Sequence, residues 1–272
     1  MKKQINVMYF SPTGTTKKVV LEIAGKISEK NKENTYRIID FTLPAIRKNQ
    51  VFFTKEDIVV VGVPVYAGRV PNVLLKYLNS ISGNKALCVA VVLYGNRNYD
   101  DALIELKDIL VSRGFIVIGA GAFIGEHSFS KTLGQNRPDD SDMLIVQNFS
   151  DQIYNKISNK DNFDSIEVKG MRPYRPYYVV KNENNEPVYD FRKITPKTNE
   201  NCTDCKLCVD ICPMGSIDFD DVSLITGICI KCCSCIKNCP FGAKYFDDSD
   251  FLMHKQDLEQ RYMQRKEPEF FI

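Results

Sequence analysis

The chain has 272 residues, of which 44% are hydrophobic and 26% charged, and a net charge of +2 from 36 Lys and Arg against 34 Asp and Glu. That length can bury one large core or two modest ones, and the composition is that of a soluble globular protein. The near balance of charge excludes a general attraction to nucleic acid or to a membrane surface.

Residues 1–160 alternate strand and helix patterns. "QINVMYF" reads as a first strand, too short in its apolar part for a signal sequence, and it runs into the loop "SPTGTT". A helix follows with Val20, Ile23, Ala24 and Ile27 on one stripe. "TYRIIDF" and "DIVVVGVPVY" are the second and third strands, "PNVLLKYL" a short helix, and "ALCVAVVLYG" a fourth strand that carries Cys88 as a small buried hydrophobe. "YDDALIELKDILVSRG" is a helix with Leu103, Leu106 and Leu110 on one face and Gly114 as its stop. "FIVIGAGAFI" is a fifth strand; its glycines, which imitate a nucleotide fingerprint, lie inside the strand and are read as close packing. A polar loop over 125–139, containing His127, precedes the helix "DMLIVQNFSDQIYNKIS", whose Ile145, Phe149 and Ile153 face inward. Continuous Val/Ile/Leu strands separated by helices imply a parallel sheet covered on both faces. No apolar run approaches the ~18 residues of a membrane span.

Residues 161–199 are rich in Pro, Asn and Tyr and are read as a strapped connector with a short hairpin at "KNENNE". Residues 200–247 hold nine of the ten cysteines. Residues 248–272 are read as a C-terminal helical segment, docked by Leu252, Leu258 and Tyr262, with His254 on the surface.

The cysteines form two copies of one spacing, Cys202-x2-Cys205-x2-Cys208-x3-Cys212-Pro213 and Cys229-x2-Cys232-x2-Cys235-x3-Cys239-Pro240. Three cysteines at two-residue gaps converge on one cubane, and the fourth, before proline, starts towards the other site. Cys202, Cys205, Cys208 and Cys239 are therefore assigned to one [4Fe-4S] cluster, and Cys229, Cys232, Cys235 and Cys212 to a second. Cys233 does not fit the period and is left as a non-ligand. Paired CxxC steps also suit zinc, but zinc requires neither triads nor Cys-Pro twice. Without an export signal the expected compartment is the reducing cytoplasm, where such cysteines are ligands rather than disulfides.

In the N-terminal part, Ser11, Thr13, Gly14, Thr15 and Thr16 open onto a helix and offer hydroxyls, backbone N–H groups and a helix dipole to a phosphate. The Walker lysine and the GxGxxG fingerprint are both absent from this loop. In an open parallel sheet the ligand lies beyond the carboxyl ends of the strands. There the third strand ends in "PVYAGRVP", with Pro64, Val65, Tyr66, Ala67 and Gly68, and the fourth in "LYGNRNYDD", with Tyr94, Gly95, Asn96, Arg97 and Tyr99. Glycine permits close backbone approach and tyrosine can stack on a planar ring, so the set describes an FMN site.

On these motifs residues 1–160 resemble flavodoxins, and 200–247 resemble the two-cluster bacterial ferredoxins. The whole chain is similar to flavodoxin–ferredoxin fusion proteins of anaerobic microbes. The resemblance implies a five-stranded parallel sheet of order 2-1-3-4-5 with a small α+β domain, FMN and two [4Fe-4S] clusters as cofactors, and Tyr99 and Tyr66 as the aromatics flanking the flavin. The acidic residues common in the flavodoxin loop are replaced by Arg97, with Arg69 after the other loop; a guanidinium aimed at the flavin would raise its potential. The expected function is electron transfer between FMN, the clusters and external redox proteins. The alternative is an FMN-dependent reductase of a small acceptor fed by the clusters, with His127 and Tyr66 at its pocket. An iron–sulfur sensor lacks any evident DNA-reading element. Whether the chain is itself an enzyme stays open at this level.

Overall fold

The computed structural model describes residues 3–32, 35–159, 163–182, 184 and 186–272. The expected boundary after residue 160 falls outside the described residues. The first five strands lie on the apolar runs: β1 (Gln4–Tyr9), β2 (Arg37–Asp40), β3 (Asp57–Pro64), β4 (Leu87–Tyr94) and β5 (Ile116–Ile124). Between them run α1 (Thr15–Lys30), α2 (Asn72–Leu78) and α3 (Ala102–Ser112), with α4 (Asp140–Asn159) after β5.

Burial on both faces explains why β3 and β4 read as unbroken hydrophobic runs. Val59, Val61 and Val63 of β3 point into one core with Leu74, Leu103 and Leu106 of α2 and α3. Ile58 and Val60 point into the other with Val20, Ile23 and Phe149 of α1 and α4. The α1 stripe is buried as expected. In α4, Phe149 and Ile153 are buried and are joined by Val146, while Ile145 is only partly covered. Gly119 and Gly121 of β5 lie tight against Ile153 and Phe123, so they are packing glycines.

The parallel order β2-β1-β3-β4-β5 is the doubly wound arrangement of the flavodoxin-like fold. The sheet has a sixth strand that the sequence reading omitted. The chain's last residues form β8 (Glu269–Phe271), which pairs antiparallel with β5 along Ala120–Ala122. The expected C-terminal helical segment is thus a helix, α7 (Ser249–Arg261), followed by a tail that returns to the sheet. After α4 the chain therefore leaves the α/β layer and comes back to it at β8.

The connector is strapped across the α3 side. Ile166 N bonds Val117 O at 2.9 Å, Tyr177 Oη bonds Val70 O at 2.8 Å, and Tyr178 N bonds Ala67 O at 2.9 Å. Arg175 is paired with Asp101 at the start of α3, and Arg172 with Asp108. The hairpin is present, with Lys181 bridged to Pro187, although tip residues 183 and 185 lie outside the described set. The cysteine segment holds little regular structure: β6 (Lys197–Thr198) paired with β7 (Lys244–Tyr245), and the single turns α5 (Leu207–Asp210) and α6 (Ser234–Lys237).

Two readings of α7 need correction. Leu252 is exposed; the buried residues are Phe251, His254 and Leu258. His254 lies inside a ring of aromatics, stacked on Tyr178 with centroids 5.9 Å apart and edge-on to Phe129 and Phe191. Its charged neighbours on α7 made this stretch look solvent-facing.

Candidate functional site

The two cysteine copies fold alike, residue by residue. Asp204 and Lys231, each two after the first cysteine, have φ of 56° and 53°. Lys206 and Cys233, each one after the second, have φ of 59° and 58° and open α5 and α6. Left-handed residues at these offsets coil the chain so that three thiols face inward. Each copy ends with an amide aimed at its fourth sulfur: Ser216 N lies 3.4 Å from Cys212 Sγ, and Ala243 N 3.3 Å from Cys239 Sγ.

Around these loops lie two hollows. One, about 370 Å³ counting its open mouth, is bordered by Cys202, Cys205, Cys208 and Cys239, with Cys235 on its wall and Leu207, Ile211 and Val222 as apolar lining. The other, about 420 Å³, is bordered by Cys212, Cys229, Cys232 and Cys235, with Cys233 also present and Ile217, Ile225 and Ile230 around it. Each expected ligand set surrounds one hollow, including the crossed assignments of Cys239 and Cys212. Among the described residues no three His, Cys, Asp or Glu are close enough to hold a single metal ion. Burial pushes the Cys235 thiol up to about 12, with further push from Cys229. At Cys239 burial acts upward too, but the surrounding backbone N–H groups outweigh it and the net shift is down.

The carboxyl ends of β1, β3, β4 and β5 converge beside the second hollow. Ser11 Oγ accepts from Lys17 N at 3.0 Å, and Ser11 N donates to Thr42 Oγ1 at 2.9 Å, which pins the loop that opens α1. Gly14 takes φ 86°, open to glycine without strain. Thr16 is buried, Thr13 and Thr15 are half-exposed and Gly14 is exposed. After β3, Pro64, Val65 and Tyr66 are half-buried, Ala67 is exposed and Gly68 lies against Asp100. The Tyr66 phenol is held well above its ordinary range, by burial first and then by the Cys232, Cys233 and Cys229 sulfurs nearby.

The loop after β4 departs from expectation. Tyr99 is 6% exposed, packs on Tyr94 at 5.6 Å between centroids and donates its hydroxyl to Glu269 of β8 at 3.1 Å. It is a core residue here, not a ring facing the rim, because β8 brings a carboxylate to it. Asn96 is buried and held by the tail: its amide donates to Tyr262 O and Gln264 O, and its oxygen accepts from Lys266 N at 3.3 Å. Arg97 is ion-paired with Asp100 and lies 5.1 Å from the Tyr178 ring. Arg69 forks onto Glu105 through two 2.7 Å bonds and lies over Tyr174 and Tyr177. Each guanidinium is paired with a carboxylate, which offsets the charge it presents at these loops. Gly95 is required by its neighbour: a Cβ there would lie 2.4 Å from the His127 ring and 2.8 Å from its Cα.

His127 accepts from Phe129 N at Nδ1 (3.1 Å), which places its proton on Nε2. Burial, with His254 and Lys237 adding to it, lowers its pKa to about 3. The 125–139 loop is tied down rather than open. Ser130 and Thr132 bond Glu259 of α7, and the buried Arg137 forks onto Asp142 while donating to Lys266 O at 2.7 Å.

Several contributors were not visible in the sequence motifs. Ser234 Oγ, between Cys232 and Cys235, donates to Pro12 O in the loop after β1 at 2.7 Å. Lys237 Nζ reaches Glu126 and, at 2.8 Å, Ser130 O. Arg47 donates to Thr42 O at 2.6 Å and also to Pro213 O beside Cys212. The spacing of the cysteines hinted at none of these, because each joins the cysteine segment to residues over 100 positions away.

No family model matches the chain, and no curated protein does. Solved structures are similar over the N-terminal portion. An archaeal flavodoxin shares 18% identity, covering 57% of this chain and 99% of its own, at TM-score 0.41. A flavodoxin from Fusobacterium nucleatum, solved with flavin mononucleotide, shares 17% over 58% of this chain and 98% of its own, at 0.39. An NADH:FMN oxidoreductase in its apo form shares 17% over 60% and 95%, at 0.42. The class defined by sheet order and connections is a flavodoxin-like α/β domain, to which a cysteine-rich segment is joined. Among the described residues no helix is long and apolar enough to cross a membrane.

Proposed function

We propose that this protein is an electron-transfer flavo-iron–sulfur protein, carrying FMN at the β1, β3 and β4 loops and two [4Fe-4S] clusters in the two cysteine hollows, and exchanging electrons with external redox proteins. The observation that carries the reading is the juxtaposition of the Cys229–Cys239 stretch with the loops after β1 and β3, at Ser234–Pro12 and around Tyr66.

The residues fit the groups. Each hollow is bordered by its four expected thiols and one further cysteine, Cys235 in the first and Cys233 in the second, with apolar lining, which suits a cubane better than a single ion, whose ligands would have to approach within about 2.3 Å of one point. Ser11, Thr13, Gly14, Thr15 and Thr16 would hold the phosphate, with the positive end of α1 behind them. Tyr66, Ala67 and Gly68, with Gly95, would border the ring; Tyr94, Asn96 and Tyr99 support that loop from the core. The clusters pass single electrons and FMN accepts one or two, so the set links one-electron carriers to two-electron chemistry.

The chain's own contribution is position. Cys212, Cys229, Cys232 and Cys235 lie on the flavin side, while Cys202, Cys205, Cys208 and Cys239 lie beyond them. Cys205 is exposed, and Phe241 beside it is 48% exposed. Electrons would enter or leave at this outer hollow, where a partner docks transiently over a small area. The reductase alternative requires a small-acceptor pocket at the 125–139 loop, and that loop is bound at Lys237, Glu259 and Arg137.

Anaerobic purification with cofactor analysis tests the proposal. About eight irons and one FMN per chain are expected, with flavin reduced when a low-potential donor reduces the clusters. Colourless protein, or clusters that reduce while flavin stays oxidised, would refute it.

A further inference from the structure

We infer that the flavin site is completed by the cluster-bearing segment: Ser234 and Lys237 of α6 are positioning residues for FMN, and the second cluster and the flavin therefore bind cooperatively. The inference rests on the proposed cofactors and adds a coupling that neither site implies alone.

The contacts between the cysteine segment and the loops after β1, β2 and β5 carry it. Ser234 Oγ holds Pro12 O inside the phosphate loop at 2.7 Å. Asn238 in turn grips Ser234 O at 2.9 Å. Lys237 binds the opposite wall at Glu126 and Ser130 O, and Gly125, next to Glu126, lies so close to Thr15 that a Cβ there would stand 3.0 Å from Thr15 Cβ. Arg47 clamps Phe41 O and Thr42 O at the end of β2 to Pro213 O beside Cys212, and Thr42 Oγ1 accepts from Ser11 N. The phosphate loop is thus held from both flanks by residues between or beside ligands of the second cluster.

The physical link is the weakness of α6. A four-residue turn does not hold itself together in water. Its orientation depends on two ligands of the second cluster being anchored, Cys232 just before it and Cys235 within it. With iron bound to them, Ser234 and Lys237 are presented to the loop. A flavin phosphate that orders the Ser11–Thr16 loop in return stabilises α6. Coupling of this kind is reciprocal by thermodynamic necessity. The loop itself has no lysine before Lys17, and Lys18 is spent on Pro138 O at 2.8 Å. Lys237 is then the ammonium group that both modules share at this wall.

The test uses full-length protein loaded anaerobically with iron and stripped of flavin by dialysis. Iron transfer to a chromophoric chelator is followed with and without excess FMN, and FMN affinity is measured by quenching of flavin fluorescence. Saturating FMN is expected to slow the release of about four of about eight irons by about tenfold, the remaining four leaving at an unchanged rate. Lys237→Gln, checked to retain its iron, is expected to weaken FMN binding about tenfold, as for loss of one charge-assisted bond. Lys237→Arg should restore most of it. Ser234→Ala provides the second variant if Lys237→Gln fails to load iron. Iron release indifferent to bound FMN, or wild-type FMN affinity in the iron-loaded variant measured, overturns the inference and leaves the flavin reading standing. Failure of the iron-loaded wild type to bind FMN overturns the flavin reading itself.

Discussion

Acidification offers a sharp test of the aromatic ring around His254. Both histidines are buried and neutral, with pKa lowered from 6.5 to about 3 for His127 and about 4 for His254, in each case chiefly by burial. Their depressed values mean that the unfolded chain binds protons the folded one refuses. Stability is then full above about pH 7 and falls as pH drops through 6.5, the loss continuing until the folded value is reached. Between pH 7 and pH 5 each histidine costs about 2 kcal/mol by linkage, so the pair removes about 4 kcal/mol, a large part of a typical folding free energy. The carboxylates of Asp101 and Asp139 are held below their ordinary range by Arg175 and Arg265, so their contribution is lost mainly below pH 5. His254→Phe keeps a flat ring against Tyr178 and Phe129 and removes one titration. Urea midpoints from far-ultraviolet circular dichroism at pH 7, 6 and 5 should show the variant losing about 2 kcal/mol less than wild type. Identical pH slopes in the two proteins would refute the buried, neutral state of His254.

Other consequences are as concrete. Asp142→Ala leaves the buried Arg137 guanidinium without its carboxylate and removes a partner of Arg265, so unfolding free energy should fall by about 3–5 kcal/mol in a denaturant titration. Gly95→Ala drives a methyl group into His127, including its backbone, and should cost about 1–3 kcal/mol by the same measurement. Cys239→Ala and the double variant Cys202→Ala/Cys239→Ala should both retain about four irons, whereas Cys235→Ala/Cys239→Ala should retain almost none. Equal iron in the two double variants would contradict the crossed ligand sets.

The sequence disclosed features whose cause is local or repetitive. The parallel strands were legible because burial on both faces leaves an unbroken Val/Ile/Leu run, as in "DIVVVGVP". The two copies of the cysteine spacing were legible from sequence, and their cysteines lie at two hollows, with Cys235 lining both. What escaped depends on distant segments meeting. "EFF" is three residues long and acquires strand character only from β5. Once there, Glu269 takes the Tyr99 hydroxyl and keeps that ring in the core. Arg69 looked available until α3 delivered Glu105, 36 positions on. His254 looked exposed amid charged neighbours on α7, but Phe129 and the connector's Tyr178 and Phe191 enclose it.

The strand donated by the last residues has a practical bearing on handling the molecule. It shields the β5 margin, where an unpaired ladder would invite stacking between copies. It also means that a protease nick at the connector hairpin would yield two fragments still clasped by a shared sheet, migrating together until denatured.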